Sequence, residues 1–453
     1  MPIRFVIIGG GPAGHQAATY AARLGAKVTL VERDVVGGAA HLWDCVPSKA
    51  MIATGGAVAQ TGRAADMGLA SLSAQLDFAA LSDRIARISS SLERSVTNLL
   101  RDQDVRMISG SARLAGPHQV VAETAEGEIE IDADAILLST GTRPRIPDFA
   151  PVDHRRVLTT RDAYPPEELP EHLIVVGSGV TGVEFVHMFS SFGSRVTLIV
   201  SREQVLPQKD PEVAAALETD FLARGVHLFK GARAESIELQ GDRVTVACND
   251  GRHAEGSHAL LAIGSVPNSE ALGLETAGVE IDSGGYVVIN QLCQSNVSHI
   301  YAAGDLSGKL PLASVASMQG RKVAEHVMGV ASEGHRNLDY EKAASAIFTE
   351  PEIADVGLAE AEAFAIGRKI RVTKVPFAAS AKALILGDSR GFVKLLSDPY
   401  TGVVLGGSIV GQNAAELISV VALAVTSHLK VSDLLESLFV HPALSEALAD
   451  AAE

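Results

Sequence analysis

Hydrophobic and polar positions along this chain fall into a strand, glycine turn, helix, strand pattern that occurs twice. Phe5-Val6-Ile7-Ile8 is an apolar run without alternation, as a strand buried on both faces requires. Gly9-Gly10-Gly11-Pro12-Ala13-Gly14 follows at once. Ala17, Ala18, Ala21, Ala22 and Leu24 predict a small-residue helix closed by Gly25, and Val28-Thr29-Leu30-Val31 predicts the next strand, ended by Glu32. The second copy has Leu173-Ile174-Val175-Val176, then Gly177-Ser178-Gly179-Val180-Thr181-Gly182, a helix over 183–192, and the strand Val196-Thr197-Leu198-Ile199-Val200. Residues 51–100 read as largely helical, with Leu81, Ile85, Ile88, Leu92, Val96 and Leu99 at the spacing of one long amphipathic helix. Residues 105–138 alternate and turn. The runs 105–108, 120–122 and 129–131 predict a small antiparallel layer, before Ala135-Ile136-Leu137-Leu138 returns to a buried strand. A helix is expected over 312–327. From about Asn337 the runs 346–349, 392–396 and 403–410 predict antiparallel strands, followed by an apolar helix over 414–425.

Length and charge narrow this picture. At 453 residues the chain exceeds one ordinary core, so about two to four domains are expected. A net charge of −16 argues against a nucleic-acid surface and against docking on anionic lipid. Three cysteines make no disulfide framework. The first apolar run passes straight into Gly9, with no basic leader or small-residue cleavage site, and so reads as a strand rather than a signal peptide. No apolar run is long enough to span a bilayer. A soluble cytoplasmic protein is expected, with no stable membrane association and no nucleic-acid partner. No metal site is assigned.

Both glycine turns carry the dinucleotide fingerprint, the first in its full context with a terminal carboxylate. Gly9 permits the tight turn, Gly11 lets a pyrophosphate approach the backbone, and Gly14 lets helix and strand pack closely. The helix N–H groups bind phosphate, and Glu32 accepts hydrogen bonds from a ribose. Gly177, Gly179 and Gly182 repeat these roles. The two units align without a gap, so Val200 stands where the first unit has Glu32, and Ser201 and Arg202 follow it. Loss of the acid removes repulsion toward a 2′-phosphate, which an Arg can pair with. NADPH is therefore expected to be accepted and preferred. The alternative is a solvated Arg202 and similar binding of NADH. A third element, Ser298-His299-Ile300-Tyr301-Ala302-Ala303-Gly304-Asp305, ends a strand on a carboxylate that can accept from a sugar-alcohol hydroxyl.

The stretch after Glu32, Gly37-Gly38-Ala39-Ala40-His41-Leu42-Trp43-Asp44-Cys45-Val46-Pro47-Ser48-Lys49, resembles the active-site segment of the flavoprotein disulfide reductases. That family includes lipoamide dehydrogenase, glutathione reductase and mercuric reductase. The resemblance covers essentially the full chain. It implies an α/β fold with two Rossmann-like domains, for FAD and NAD(P), and an α+β C-terminal dimerisation domain. The boundaries it suggests are 1–147 and 266–336 for the FAD-binding parts, 148–265 for NAD(P) and 337–453 for dimerisation, with Pro144, Pro147 and Pro151 marking the first boundary.

The resemblance also implies roles. Thr140-Gly141-Thr142-Arg143-Pro144 matches the link out of the flavin domain, and the segment around Gly264 the exit from the nucleotide domain. Asp305 belongs to the third flavin motif, and the backbone near Ala316 meets the flavin ring. Lys49 lies near the reactive flavin nitrogen and pairs with Glu184, an arrangement that steadies charge developing on hydride transfer. His441, oriented by Glu446, is the acid–base that reaches the partner subunit's thiols.

One position departs. The family has two cysteines separated by four residues; the second is Cys45, but the first falls on Ala40, and Asp44 replaces the usual Gly. Thiol–disulfide exchange needs an attacking thiolate and a resolving partner, and Ala40 can be neither. Cys248 and Cys293, in other stretches, are not expected to substitute. This departure matches a branch that resembles lipoamide dehydrogenase yet acts as NAD(P)H:quinone reductases. The expectation is a homodimeric FAD enzyme passing hydride from NAD(P)H through flavin to quinones or similar acceptors. The alternatives are a dihydrolipoamide dehydrogenase with rearranged thiols, and a weakly catalytic flavoprotein subunit or redox sensor. Cys45 is either a charge-transfer thiol beside the flavin or an inert buried one. The His441–Glu446 dyad either moves protons or is inherited structure.

Overall fold

The computed structural model describes residues 1–70, 74–330 and 337–453. The chain divides into two compact units, each assembled from distant segments: Met1–Ser48, Ala79–Arg145 and Gly264–Tyr340 in the first, Lys49–Phe78, Ile146–Ile263 and Glu341–Glu453 in the second.

The first unit is built on a parallel sheet with strand order Ile300–Ala302, Ala135–Leu138, Arg4–Ile8, Lys27–Glu32, Arg106–Ser109. Its apolar runs form a continuous core, with Phe5, Ile7, Ile136, Leu137 and Leu138 fully buried. The helix Pro12–Arg23 joins the first two strands, as predicted, and lies against the helix Ala313–Val327. Gly320 is what lets them approach: a Cβ there would lie 2.1 Å from the Ala13 carbonyl oxygen.

One expectation needs correction in this unit. The run 105–108 does not join an antiparallel layer; Arg106–Ser109 is the outermost parallel strand, paired with Lys27–Glu32. The antiparallel layer consists of Ser111–Gly116, Gln119–Thr124 and Gln119's other neighbour, Gly127–Asp132. Four apolar-rich residues carry no direction, so the run could not reveal which sheet would take it. Residues 51–100 are largely helical, as expected, in two separate helices. The helix Val46–Gly62 is followed by a short turn, Ala64–Met67, and stopped at Gly68, which has φ +78°. The amphipathic helix starts afresh at Phe78 and runs to Arg101. Its Leu81 and Ile85 are buried, whereas Leu92 and Leu99 remain exposed. Residues 71–73 of that stretch, and 331–336 at the end of the expected 266–336 segment, lie outside the described residues.

In the second unit a parallel sheet has the order His227–Lys230, Arg195–Val200, His172–Val176, His258–Leu261, Val157–Thr159. The C-terminal part of the same unit is an antiparallel sheet ordered Ser345–Ile347, Ile353–Gly357, Val404–Val410, Phe392–Ser397, Arg371–Pro376, covered by the helix Ala414–Ser427. The strands at Ile353 and Arg371 had no clear sequence signature. Arg371–Pro376 is an edge strand, where alternating polar residues and a terminal proline are tolerated.

Candidate functional site

The first glycine turn is shaped by close approach. A Cβ on Gly9 would lie 2.4 Å from the Ser139 carbonyl oxygen, and one on Gly14 only 1.9 Å from that of Gly9. Gly11 is different: a Cβ there would meet nothing within 4 Å. Gly11 also caps the helix Pro12–Arg23 with no side-chain hydrogen bond to the helix N–H groups. Open space before uncapped helix donors fits a pyrophosphate. Glu32 ends its strand with one carboxylate oxygen accepting from the Gly10 N–H at 2.6 Å and the other from the Asp34 N–H at 2.7 Å. Each oxygen keeps a lone pair for a ribose hydroxyl.

Asp305 lies in the same unit. Its carboxylate accepts from the Thr142 hydroxyl at 3.1 Å, and burial raises its pKa above the usual value. Thr140 and Asn268 clasp each other, the Thr140 hydroxyl donating to the Asn268 carbonyl at 2.8 Å and the Asn268 amide to the Thr140 carbonyl at 2.9 Å. This holds the Gly141 turn, and Arg145 donates its N–H to the Gly264 carbonyl at 3.0 Å. Ala316 is buried in the first turn of its helix. Sequence reasoning missed Gln319 on that helix. Its side chain is buried, accepts from the Gly304 N–H at 2.7 Å and donates to the Tyr340 hydroxyl at 2.9 Å. A glutamine on the buried face of a helix was the available signal.

The cysteine stretch follows Glu32 through two left-handed glycines, Gly37 at φ +110° and Gly38 at +61°. A Cβ on Gly37 would collide with the His41 imidazole. Ala40–Asp44 forms a π-helical turn and Cys45 comes next. Ser48 then donates to the Asp44 carbonyl at 2.6 Å, tying the start of the helix Val46–Gly62 to this turn. Cys45 is half-buried rather than enclosed, and none of the three cysteines forms a disulfide. Burial pushes the Cys293 thiol up to about 12 and raises that of Cys248, so neither is a ready thiolate at neutral pH.

The second unit repeats the glycine geometry. Cβ atoms on Gly177 and Gly182 would lie 2.3 Å from the Ala262 carbonyl oxygen and 1.9 Å from that of Gly177, whereas one on Gly179 would meet nothing within 4 Å. The helix Val180–Ser191 begins at Gly179 without a side-chain cap. Val200 is fully buried at the strand end, and Ser201 and Arg202 emerge exposed. Among the described residues Arg202 has no ion-pair partner. The open space at Gly179 and the uncapped helix donors suit a second dinucleotide.

Lys49 and Glu184 meet in this unit. The ammonium donates to both carboxylate oxygens, at 2.9 and 3.2 Å, and Glu184 is only 4% exposed. Two further contacts were not legible in the sequence. The Phe348 N–H donates to Glu184 Oε1 at 3.0 Å, and the Lys49 ammonium stands 4.9 Å from the centre of the Phe348 ring. His441 and Glu446 also pair, Nδ1 to Oε1 at 2.7 Å. The Ala443 N–H, first, and His441, second, hold the Glu446 carboxyl below its usual range. His441 is 74% exposed, next to the exposed side chains of Leu438 and Val440.

Comparison with known proteins identifies the family. The profile "Pyridine nucleotide-disulphide oxidoreductase" matches residues 3–320, and that of the family's dimerisation domain residues 343–452. A Mycobacterium tuberculosis protein named NAD(P)H dehydrogenase (quinone) is 40% identical across 100% of this chain and 94% of its own length. A dihydrolipoyl dehydrogenase of Zymomonas mobilis is 34% identical, with 98% of this chain and 96% of the relative covered. Among solved structures, LpdA from Mycobacterium tuberculosis superposes with a TM-score of 0.94 at 40% identity, covering 99% of both chains. The HOCl-induced flavoprotein disulfide reductase RclA from Escherichia coli gives 0.88 at 27% identity, again over 99% of both. With both profiles matched and full-length relatives on either side, the chain belongs to the pyridine nucleotide-disulphide oxidoreductase family, NAD(P)H-dependent flavoprotein oxidoreductases.

Proposed function

We propose that this chain is a homodimeric FAD enzyme that oxidises NAD(P)H and reduces a quinone or similar small acceptor without an enzyme disulfide. The observation that carries the reading is Ala40, which opens the turn before Cys45 where the family's first thiol stands. One thiol alone cannot resolve a mixed disulfide. The rest of the machinery remains: two glycine cradles, Asp305, and the Lys49–Glu184 pair. The overall change is NAD(P)H plus a proton plus quinone to NAD(P)+ plus hydroquinone. Bound FAD supplies the hydride acceptor and the two-electron donor for this exchange. Gly9, Gly11, Gly14, Glu32 and Asp305 hold it, with the Thr140–Gly141 turn and the backbone near Ala316. Gly177, Gly179 and Gly182 hold the nicotinamide dinucleotide. Lys49 offers a positive charge where negative charge develops, and Glu184 keeps the ammonium in place. Cys45 lines the same site by the family pattern. His441, oriented by Glu446, supplies a proton to the reduced acceptor.

NADPH is the preferred donor in this reading. The support is the buried Val200 in place of an acid, with Arg202 exposed beyond it. A kcat/KM for NADH well above that for NADPH sinks this part. The homodimer is supported by the dimerisation-domain match and by the exposure of Leu438 and Val440.

The decisive experiment is an acceptor panel on the wild type and Ala40→Cys. The wild type is expected to turn over NADPH with quinones and to be inactive with dihydrolipoamide and NAD+. Dithiol activity, if any appears, should be confined to the variant. Robust dihydrolipoamide turnover by the wild type overturns the proposal.

A further inference from the structure

We infer that Phe348 is a positioning residue for the Lys49–Glu184 pair, its peptide N–H fixing the carboxylate and its ring seating the ammonium. The inference rests on the proposal above that this pair serves hydride transfer.

Glu184 is a buried carboxylate, and a buried charge has to be fully hydrogen-bonded. Lys49 supplies two contacts, but a flexible lysine can rotate away into water. The Phe348 N–H, part of the backbone just past the strand Ser345–Ile347, cannot. At 3.0 Å from Oε1 it fixes the carboxylate independently of the lysine. The ammonium is in turn confined. Glu184 lies on one side of it and the Phe348 ring on another, 4.9 Å to the centroid, within cation–π range. Both groups therefore refer to one residue that carries no charge.

That residue is itself clamped. Thr349 is buried and its hydroxyl donates to the Pro351 carbonyl at 2.8 Å. Glu350 accepts from Arg390 at 2.9 Å and from Arg63. Arg390 is anchored on Asp388 and Asp220, both at 2.6 Å. Arg63 immediately follows the helix Val46–Gly62, which carries Lys49 near its start. The segment 348–350 thus meets Lys49 near the start of that helix through Phe348, and Arg63 just beyond its end through Glu350.

The test uses FAD-loaded wild type, Phe348→Leu, Phe348→Tyr, Lys49→Met and the Phe348→Leu/Lys49→Met double variant. Three quantities are read: the anaerobic rate of flavin reduction at saturating NADPH, the flavin midpoint potential, and the rate of Lys49 acylation in apo-protein by mass spectrometry. Phe348→Leu is expected to slow flavin reduction by roughly 3- to 30-fold, as the loss of a cation–π seat implies. It should leave the half-saturating NADPH concentration unchanged, shift the potential to more negative values and speed Lys49 acylation. Phe348→Tyr, which keeps the ring, should restore all three. In the Lys49→Met background Phe348→Leu should add nothing.

Equal behaviour of the Leu and Tyr variants, additive effects in the double variant, or acylation at the wild-type rate overturns the inference. If Lys49→Met alone reduces flavin at the wild-type rate, the proposed role of the pair fails; the acylation rates in apo-protein then still decide whether Phe348 seats the ammonium. Should Phe348→Leu not fold, Phe348→Met makes the same comparison.

Discussion

A methyl group on Gly182 would sit 1.9 Å from the Gly177 carbonyl oxygen, a backbone atom that cannot turn aside. A methyl on Gly179 would touch nothing in the protein. The two glycines are therefore there for different reasons, and substitution should separate them. Gly182→Ala is expected to cost about 1–3 kcal/mol by overpacking and to lower the melting temperature. Gly179→Ala should leave the melting temperature of the protein without nucleotide nearly unchanged, yet weaken NADPH binding by at least about tenfold by intruding on the phosphate. Thermal melts and titration calorimetry on both variants check this. These roles were legible from spacing alone, because the fingerprint is local. The Phe348 N–H on Glu184 was not, since the two residues are 164 positions apart and a backbone donor leaves no trace in residue type.

Gly320 makes the same point for a pair of helices. In the sequence it is one glycine within an expected helix, where it weakens the prediction. In the structure it is the position where the helix Ala313–Val327 meets the backbone of the helix Pro12–Arg23, with 2.1 Å left for a Cβ. Gly320→Ala should force the helices apart, disturb the first cradle and increase FAD loss. Absorbance of FAD released on dilution measures it, and FAD retention equal to wild type rejects the account. A second element carries a pH signature. On the helix Val180–Ser191, His187 is 1% exposed and accepts from Arg224 at 3.0 Å. Burial, then the Arg224 and Arg390 charges, push its pKa from the usual 6.5 down to about 3. Between those values the unfolded chain binds more protons than the folded one, so stability rises with pH there. The contribution is complete above pH 6.5 and is lost as the pH falls toward 3, at up to about 1.4 kcal/mol per unit. Unfolding midpoints of wild type and His187→Gln between pH 7 and 4.5 should show the shallower decline in the variant. Parallel declines contradict this assignment.

At the scale of the whole molecule, each compact unit gathers segments that are far apart in the chain. The C-terminal stretch ends in exposed apolar side chains: Leu438 is as accessible as in an extended chain, and Val440 is 74% exposed. His441 follows them. If this face meets a second copy, Leu438→Asp with Val440→Asp should yield monomers by analytical ultracentrifugation. Quinone turnover should then fall more than FAD content. Dimers of unchanged stability would place the interface elsewhere. Among the described residues no helix is long and apolar enough to cross a membrane.

The sequence by itself determined the two strand–glycine–helix units, the carboxylates Glu32 and Asp305, the loss of an acid at Val200 and the loss of a thiol at Ala40. All of these are read from residue type over short spacings, where sterics and chemistry act between near neighbours. The tertiary structure alone decided which sheet takes Arg106–Ser109, why Gly320 is a glycine, and what holds Glu184 besides Lys49. Those outcomes depend on backbone surfaces brought together from remote parts of the chain, and hydrogen bonds and close packing there are set by position rather than by the identity of either residue.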